Sequence, residues 1–317
     1  MRALHWDGSR LQVVERPPPP VEAEAALVRV HLAGVCNTDL ELTKGYMGFR
    51  GVLGHEFVGT VSEGPADWRG RRVVGEINFA CGHCDLCHRG LPRHCPARRV
   101  MGILGADGTF AEYVTLPVAN LHAVPDGVAD DAAVFTEPLA AAFEIPAQVR
   151  IEPGMSAVVL GDGKLGLLVA QVLARAGARV LVVGKHDDHL TLLRRRGIDT
   201  VSLEHWDRAR ADLVVEATGS AAGFALAIGA TRPRGTVVAK STVAETAPLN
   251  LAPLVIDEIT VVGSRCGPFE PALQALAADD VDVRALIAAR HPLRDAVEAL
   301  RHAARPGVLK VLLEMPS

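Results

Sequence analysis

The stretch SAVVLGDGKLGLLVAQVLARAG, residues 156–177, constrains the fold more than any other part of the chain. A short apolar run ends at a glycine turn, GDGKLG (161–166), which opens a segment of helical pattern. The turn reads G-x-G-x-x-G with a strand before it and a helix after it, the setting that this spacing requires. Gly161 permits the tight bend, Gly163 lets a pyrophosphate approach the backbone, and Gly166 allows helix to pack closely on strand. Asp162, Lys164 and Leu165 complete the turn, and the helix start offers free N–H groups and a partial positive charge to phosphates. Further apolar runs follow, ARVLVVG (178–184), ADLVVEATG (211–219), GTVVAKS (235–241) and ITVVGSRCG (259–267), with HLTLLRRRG (189–197) reading as a helix. Strands alternating with helices predict an α/β fold with a parallel, doubly wound sheet.

The place after the second strand bears on which dinucleotide binds. Chains that prefer NAD usually carry Asp or Glu there, bonded to the adenine ribose. Here Gly184 carries no charge, and Lys185 and His186 can pair with a 2′-phosphate, so NADP is expected rather than NAD. Asp187 and Asp188 dilute that basic patch, and an ordinary solvated loop is the plainer alternative. Thr218, at the end of ADLVVEATG, and Arg265, in GSRCGP, are further candidates for cofactor contact. A packed crossover explains GSRCGP and its Cys266 equally well.

Residues 1 to about 130 have a different texture. ALVRVHLAGVC (26–36), EFVGTVSEG (56–64) and RRVVGEI (71–77) read as strands bounded by Gly and Pro, and PPPP at 17–20 as an exposed extended connection. Four of the six cysteines lie in CGHCDLCHRGLPRHC, as Cys81, Cys84, Cys87 and Cys95. Four thiolates at such intervals can close the shell of one tetrahedral zinc, and a closed shell is structural; free surface thiols or an iron–sulfur cluster are the alternatives. The chemistry must then lie elsewhere. Cys36 in GVCNTD, His55 and Glu56 in LGHEFVG, and Glu137 in FTEPLA could hold a second zinc with a position left open. Singly, each has a bland reading as a core thiol, a satisfied core histidine or a turn carboxylate, and no local spacing ties them together.

Composition narrows the function classes. A net charge of −4 without basic and aromatic interleaving argues against a nucleic-acid partner. No apolar stretch approaches the roughly 18 residues of a membrane span. The start lacks a secretory pattern, and clustered cysteines suit a metal site in a reducing compartment, so a cytoplasmic location is expected.

GHEFVG, the cysteine lobe, EPLA and the GDGKLG turn occur in the order found in zinc-dependent medium-chain alcohol dehydrogenases, and the chain most resembles their sorbitol and threonine dehydrogenase branch. That resemblance implies a GroES-like catalytic domain over 1–135, a Rossmann NAD(P)-binding domain over 136–267 and a return segment, 268–317, completing the first. It implies two zinc ions per chain, one catalytic and one structural, with Cys36 and His55 as catalytic ligands. Glu56 and Glu137 would share or exchange the carboxylate role. Thr38 would relay the alcohol proton, and Asp39 would orient the zinc-bound histidine. Glu41 stands where many relatives have the histidine that ends the proton relay. Tyr46, Met47 and Phe49 line the pocket or pack the core. The implied activity is reversible hydride transfer between NAD(P) and a polyol, sugar, amino or simple alcohol, by a homodimer or homotetramer. A zinc-independent or non-catalytic NADP(H)-binding relative is the alternative.

Overall fold

The structure, a computed structural model, describes residues 1–242 and 249–316. The chain divides into two compact units, Met1–Glu137 with Leu273–Ser317, and Pro138–Ala272.

The first unit is built on the long strand Ala25–Gly34, which is buried along most of its length and carries few charges. On one edge it pairs antiparallel with Glu56–Glu63. Its other edge is shared, with Tyr113–Pro117 opposite residues 25–29 and Lys310–Glu314 opposite residues 32–34. The C-terminal strand is therefore laid directly beside the segment that leads into Cys36. Arg72–Gly75, Leu121–Ala123 and Ile287–Pro292 extend the sheet. His31 on the central strand reaches Asp130 (Nδ1 to Oδ2, 2.7 Å), and Arg72 reaches the same carboxylate at 3.2 Å, which ties a short helix, Asp130–Ala133, to the sheet. The His31 bond, opposed by burial and aided by Arg72, holds the Asp130 carboxyl below the usual range. The cysteine lobe is an excursion between two paired strands, Asn78–Phe79 and Arg99–Met101.

Among its described residues the second unit carries six parallel strands: Ser156–Leu160, Arg179–Gly184, Asp199–Ser202, Ala211–Glu216, Thr231–Ala239 and Thr260–Gly263. Numbered along the chain, their order across the sheet is 3-2-1-4-5-6. This is the doubly wound Rossmann order, and its direction reverses between the first and fourth strands, where ligands bind beyond the strand ends. GDGKLG leaves the first strand at that point. Val158, Val159 and Leu160 are buried from both faces, and the helix Lys164–Arg175 buries every residue from Gly166 to Leu173. Each such Val or Leu contributes about 1.5–3 kcal/mol relative to exposure, which anchors the turn at both ends. The next helix runs Asp187–Arg194, two residues ahead of the expected start. Asp187 and Asp188 explain the shift, since carboxylates are stabilised in a helix's first turn.

No helix among the described residues is long and apolar enough to cross a membrane.

Candidate metal centres and dinucleotide turn

Cys36 ends the approach from the central strand and caps a short helix, Asn37–Leu42. Its backbone N–H donates to Asp39 Oδ2 at 2.8 Å, closing a capping box that fixes the helix start. Thr38 Oγ1 lies 3.8 Å from Cys36 Sγ. The other Asp39 oxygen accepts from Gly54 N–H and sits 3.3 Å from His55 Nδ1. Asp39 is fully buried and His55 is 3% exposed, so a carboxylate stands behind the ring, close to an Nδ1 that has no well-aligned hydrogen bond among the described residues.

Glu56 pairs with Gly34 in the ladder. A side chain on Gly34 would collide with the Glu56 carboxylate, so glycine there makes room for it. Across the same strand comes Lys310, whose Nζ donates to Glu56 Oε2 and to Val35 O. Both partners are buried, at 1% and 2% exposure. Burial pulls Lys310 down, and Glu56, with Cys36 and Glu137, holds it above the ordinary lysine value. Burial likewise depresses His55, while Asp39 and Cys36 more than offset it and hold the imidazole well above its usual range.

Among the described residues, the donor atoms of Cys36, His55 and Glu56 lie within 4.8 Å of one another. Glu56 Oε1 is buried with no hydrogen-bond partner among them. A thiolate, an imidazole and an unsatisfied carboxylate oxygen form a donor set that fits a divalent cation such as zinc. Glu137 is not in that convergent group. It stands in the first turn of the helix Thr136–Gln148, where its charge still reaches Lys310.

The four lobe cysteines form a second set. The Sγ separations are 3.5 Å for Cys81–Cys95 and Cys84–Cys87, 3.9 Å for Cys84–Cys95 and 4.0 Å for Cys81–Cys87. A tetrahedron with Zn–S bonds of about 2.3 Å has edges of about 3.8 Å, so the lobe is folded to that size. Burial pushes the Cys87 thiol up to about 11, and backbone N–H donation from His83 draws Cys81 down to about 6. Sulfurs this close do not all ionise without a cation among them, which is the condition a zinc ion satisfies.

The dinucleotide turn has the local geometry its glycines suggest. Gly161 has φ +114°, and a Cβ there would lie 2.5 Å from Ala217 O. Gly163 is the N-cap of Lys164–Arg175 and supplies no side-chain cap, and nothing lies within 4 Å of where its Cβ would be. That leaves an open cradle over free N–H groups, suited to a pyrophosphate. Lys164 and Leu165 begin the helix. Asp162 reaches across to the end of the second strand, where its carboxylate meets Lys185 and His186. Thr218 donates to Glu216 Oε1 through both N–H and Oγ1, each at 2.7 Å. Arg265 is exposed, and its carbonyl accepts from buried Lys240.

Other expectations fall differently. Glu41 faces outward in an ion pair with Lys44 at 2.9 Å. Tyr46 and Met47 are exposed while Phe49 is buried. Sequence reading missed Lys310, although a single charge inside the apolar run VLKVLLE was a usable signal. It also missed the reach of Asp162 to Gly184.

The chain matches two family models, the alcohol dehydrogenase GroES-like domain over residues 22–126 and the zinc-binding dehydrogenase over residues 165–281. It is 32% identical to a sorbitol dehydrogenase of Halalkalibacterium halodurans, over 99% of this chain and 98% of that protein. An Escherichia coli CFT073 protein described as a short chain alcohol dehydrogenase (rspB), complexed with NADH, superposes with a TM-score of 0.92 at 25% identity, covering 99% of both chains. A putative zinc-binding dehydrogenase of Sinorhizobium meliloti bound to NADP superposes with a TM-score of 0.91 at 27% identity, covering 99% of this chain and 98% of that one.

Proposed function

Because this chain belongs to the zinc-dependent medium-chain alcohol dehydrogenase family, we propose that it is an oxidoreductase of CH–OH groups, interconverting an alcohol and its aldehyde or ketone with NAD(P). The polyol, sugar and amino-alcohol classes are the proposed substrates, supported by the likeness to a sorbitol dehydrogenase. The observation that carries the reading is the convergence of Cys36, His55 and Glu56 beside Thr38.

In this reading two ions bind per chain, one in the Cys81, Cys84, Cys87 and Cys95 lobe and one held by Cys36, His55 and a carboxylate, Glu56 or Glu137. A zinc ion at the second site would supply a Lewis acid for the substrate oxygen, and the bound nicotinamide would supply the hydride acceptor or donor. Asp39 keeps the His55 ring oriented. The Thr38 hydroxyl takes the alcohol proton and passes it outward. Glu41, three residues on and therefore on the same helix face, ends that path at solvent. Gly161, Gly163 and Gly166 seat the pyrophosphate. On the choice of dinucleotide the residues pull in opposite directions. Gly184, Lys185 and His186 favour NADP, and Asp162 brings an opposing charge to the same place. A cytoplasmic location belongs to the same reading, supported by clustered cysteines that suit metal sites in a reducing compartment.

The test is zinc per chain by native mass spectrometry on zinc-replete protein, with NAD(P)-linked turnover on a polyol, sugar and amino-alcohol panel. Two tightly held ions and turnover are expected. One ion, with dinucleotide binding but no turnover across the panel, would replace the dehydrogenase by a non-catalytic or zinc-independent binder.

We further propose a homo-oligomer formed through the sixth parallel strand. Among the described residues, Thr260–Gly263 pairs only on its inner side, leaving an open sheet edge. Val261 is exposed there, and Val255 and Ile256 nearby are 76% and 77% exposed. A bare edge flanked by apolar side chains is self-associating unless covered, and a second copy covers it symmetrically. Ile256→Lys with Val261→Lys is expected to lower the mass measured by light scattering to that of a smaller species. An unchanged mass would remove this surface from the assembly.

A further inference from the structure

In a doubly wound nucleotide-binding unit, the residue closing the second strand commonly decides between NAD and NADP. An Asp or Glu there hydrogen-bonds the ribose 2′-hydroxyl and disfavours a 2′-phosphate. Gly184 occupies that position, but the space beside it is filled. A Cβ on Gly184 would lie 2.5 Å from Asp162 Oδ2 and 2.6 Å from Asp162 Cβ. The side chain that a longer residue would place at the strand end is thus supplied from the neighbouring turn.

The Asp162 carboxylate is firmly held. Oδ2 accepts from the backbone N–H groups of Lys185 at 2.7 Å and His186 at 2.6 Å. His186 Nδ1 lies 3.1 Å from Oδ2 and 3.2 Å from Oδ1. His189 Nδ1 meets the Asp162 carbonyl at 2.8 Å, which fixes the turn from the other side. Burial raises the carboxyl, and the two backbone bonds with the His186 ring overcome it, so its net direction is below the ordinary value and it is ionised at neutral pH.

Two consequences oppose a 2′-phosphate. The two N–H groups at the strand end, natural donors to such a phosphate, are already engaged. A fixed negative charge also stands beside them in a region of reduced dielectric, where like charges a few Å apart repel strongly. The neighbouring side chains are not available to a 2′-phosphate: the His186 ring is turned onto Asp162, and Arg194 is bound to Asp187 at 2.7 Å. Lys185 is exposed, and Asp187 and Asp188 face the same solvent. For a ribose hydroxyl, by contrast, Oδ1 keeps acceptor capacity beyond its one ring contact.

We propose that Asp162 takes over, from the glycine turn, the carboxylate role normally filled at the end of the second strand, so that this chain prefers NAD to NADP. The inference rests on the dinucleotide-binding reading of that turn. It reverses the preference drawn from Gly184, Lys185 and His186 alone, because the deciding side chain arrives from a different segment.

Direct binding tests it. Titrating the zinc-loaded protein with NADH and NADPH, followed by nicotinamide fluorescence, should show NADH tighter by about tenfold or more. Asp162→Asn keeps an acceptor for the backbone donors and removes the charge, and it should shift the NADH-to-NADPH ratio towards NADPH by about tenfold. Wild-type protein answers the same question without a substitution. AMP should displace NADH at lower concentration than adenosine 2′,5′-bisphosphate. Binding of both dinucleotides with NADPH tighter in the wild type, or with a ratio that Asp162→Asn does not move, would overturn this inference alone. Binding of neither would overturn it together with the dehydrogenase reading.

Discussion

Cys36→Ser is expected to lower kcat/KM by ~10³-fold or more while leaving the dissociation constant for the reduced dinucleotide within about threefold of wild type. The size follows from the several kcal/mol that a Lewis acid supplies at the reacting oxygen, with each 1.4 kcal/mol or so worth tenfold. A serine hydroxyl is a far poorer zinc ligand than a thiolate, and His55 with one carboxylate is a weak remaining set. Native mass spectrometry should therefore show one ion per chain in place of two. In the proposed reading the dinucleotide is held by the turn at Gly161–Gly166 and the end of the second strand, which belong to a separate compact unit, and this is why binding is expected to survive. Cys84→Ser is the contrasting variant. It should lose the other ion and act on stability, since the lobe lies between paired strands and supplies no open coordination position. A Cys36→Ser protein that keeps two ions and wild-type turnover would remove Cys36 from the reacting centre.

The contrast between these cysteines also separates what a linear reading can and cannot see. The lobe is legible because its four cysteines are close in sequence, and their short spacing predicts the gathering of sulfurs that the structure has. GDGKLG is legible for a similar reason: φ +114° at Gly161 and the open space above Gly163 are backbone requirements met within one turn. Cys36 and His55 are different. They meet because Gly34 pairs with Glu56 in an antiparallel ladder, and that register depends on burial along two whole strands. Only an accumulated family pattern points to such a pair in advance. Lys310 is further removed, 254 residues from Glu56, and it arrives because the last strand pairs with the shared edge of the central one. Asp162 shows the same limit on a smaller scale. Position by position, the second strand ends in an uncharged glycine. In three dimensions a carboxylate lies where that glycine's side chain would be, because two parallel strands place their ends side by side.

Lys310→Met should destabilise the protein more than any other single change discussed. Nζ and the Glu56 carboxylate are both almost fully buried, and Glu56 Oε1 already lacks a hydrogen-bond partner among the described residues. Methionine preserves much of the volume but removes the ammonium that stands 5.8 Å from the Phe135 ring centroid, so the loss is electrostatic rather than a cavity. Removing one member of a buried ion pair typically costs about 3–5 kcal/mol, because the other charge is left without compensation. For a chain with units of this size, that corresponds to a fall in Tm on the order of 10 °C. Lys310→Met with Glu56→Gln removes both charges and should recover at least half of the loss. Zinc content supplies a second discriminator. A cation held by Cys36, His55 and Glu56 would neutralise the carboxylate from its other side, so the cost of Lys310→Met should be smaller in zinc-replete protein and larger after chelation. Thermal unfolding of the wild type, the single variant and the double variant, each with and without a chelator, measures all of this. Equal stability of wild type and Lys310→Met under both conditions would mean that Glu56 does not depend on Lys310, and the carboxylate would have to be neutral or satisfied by another group.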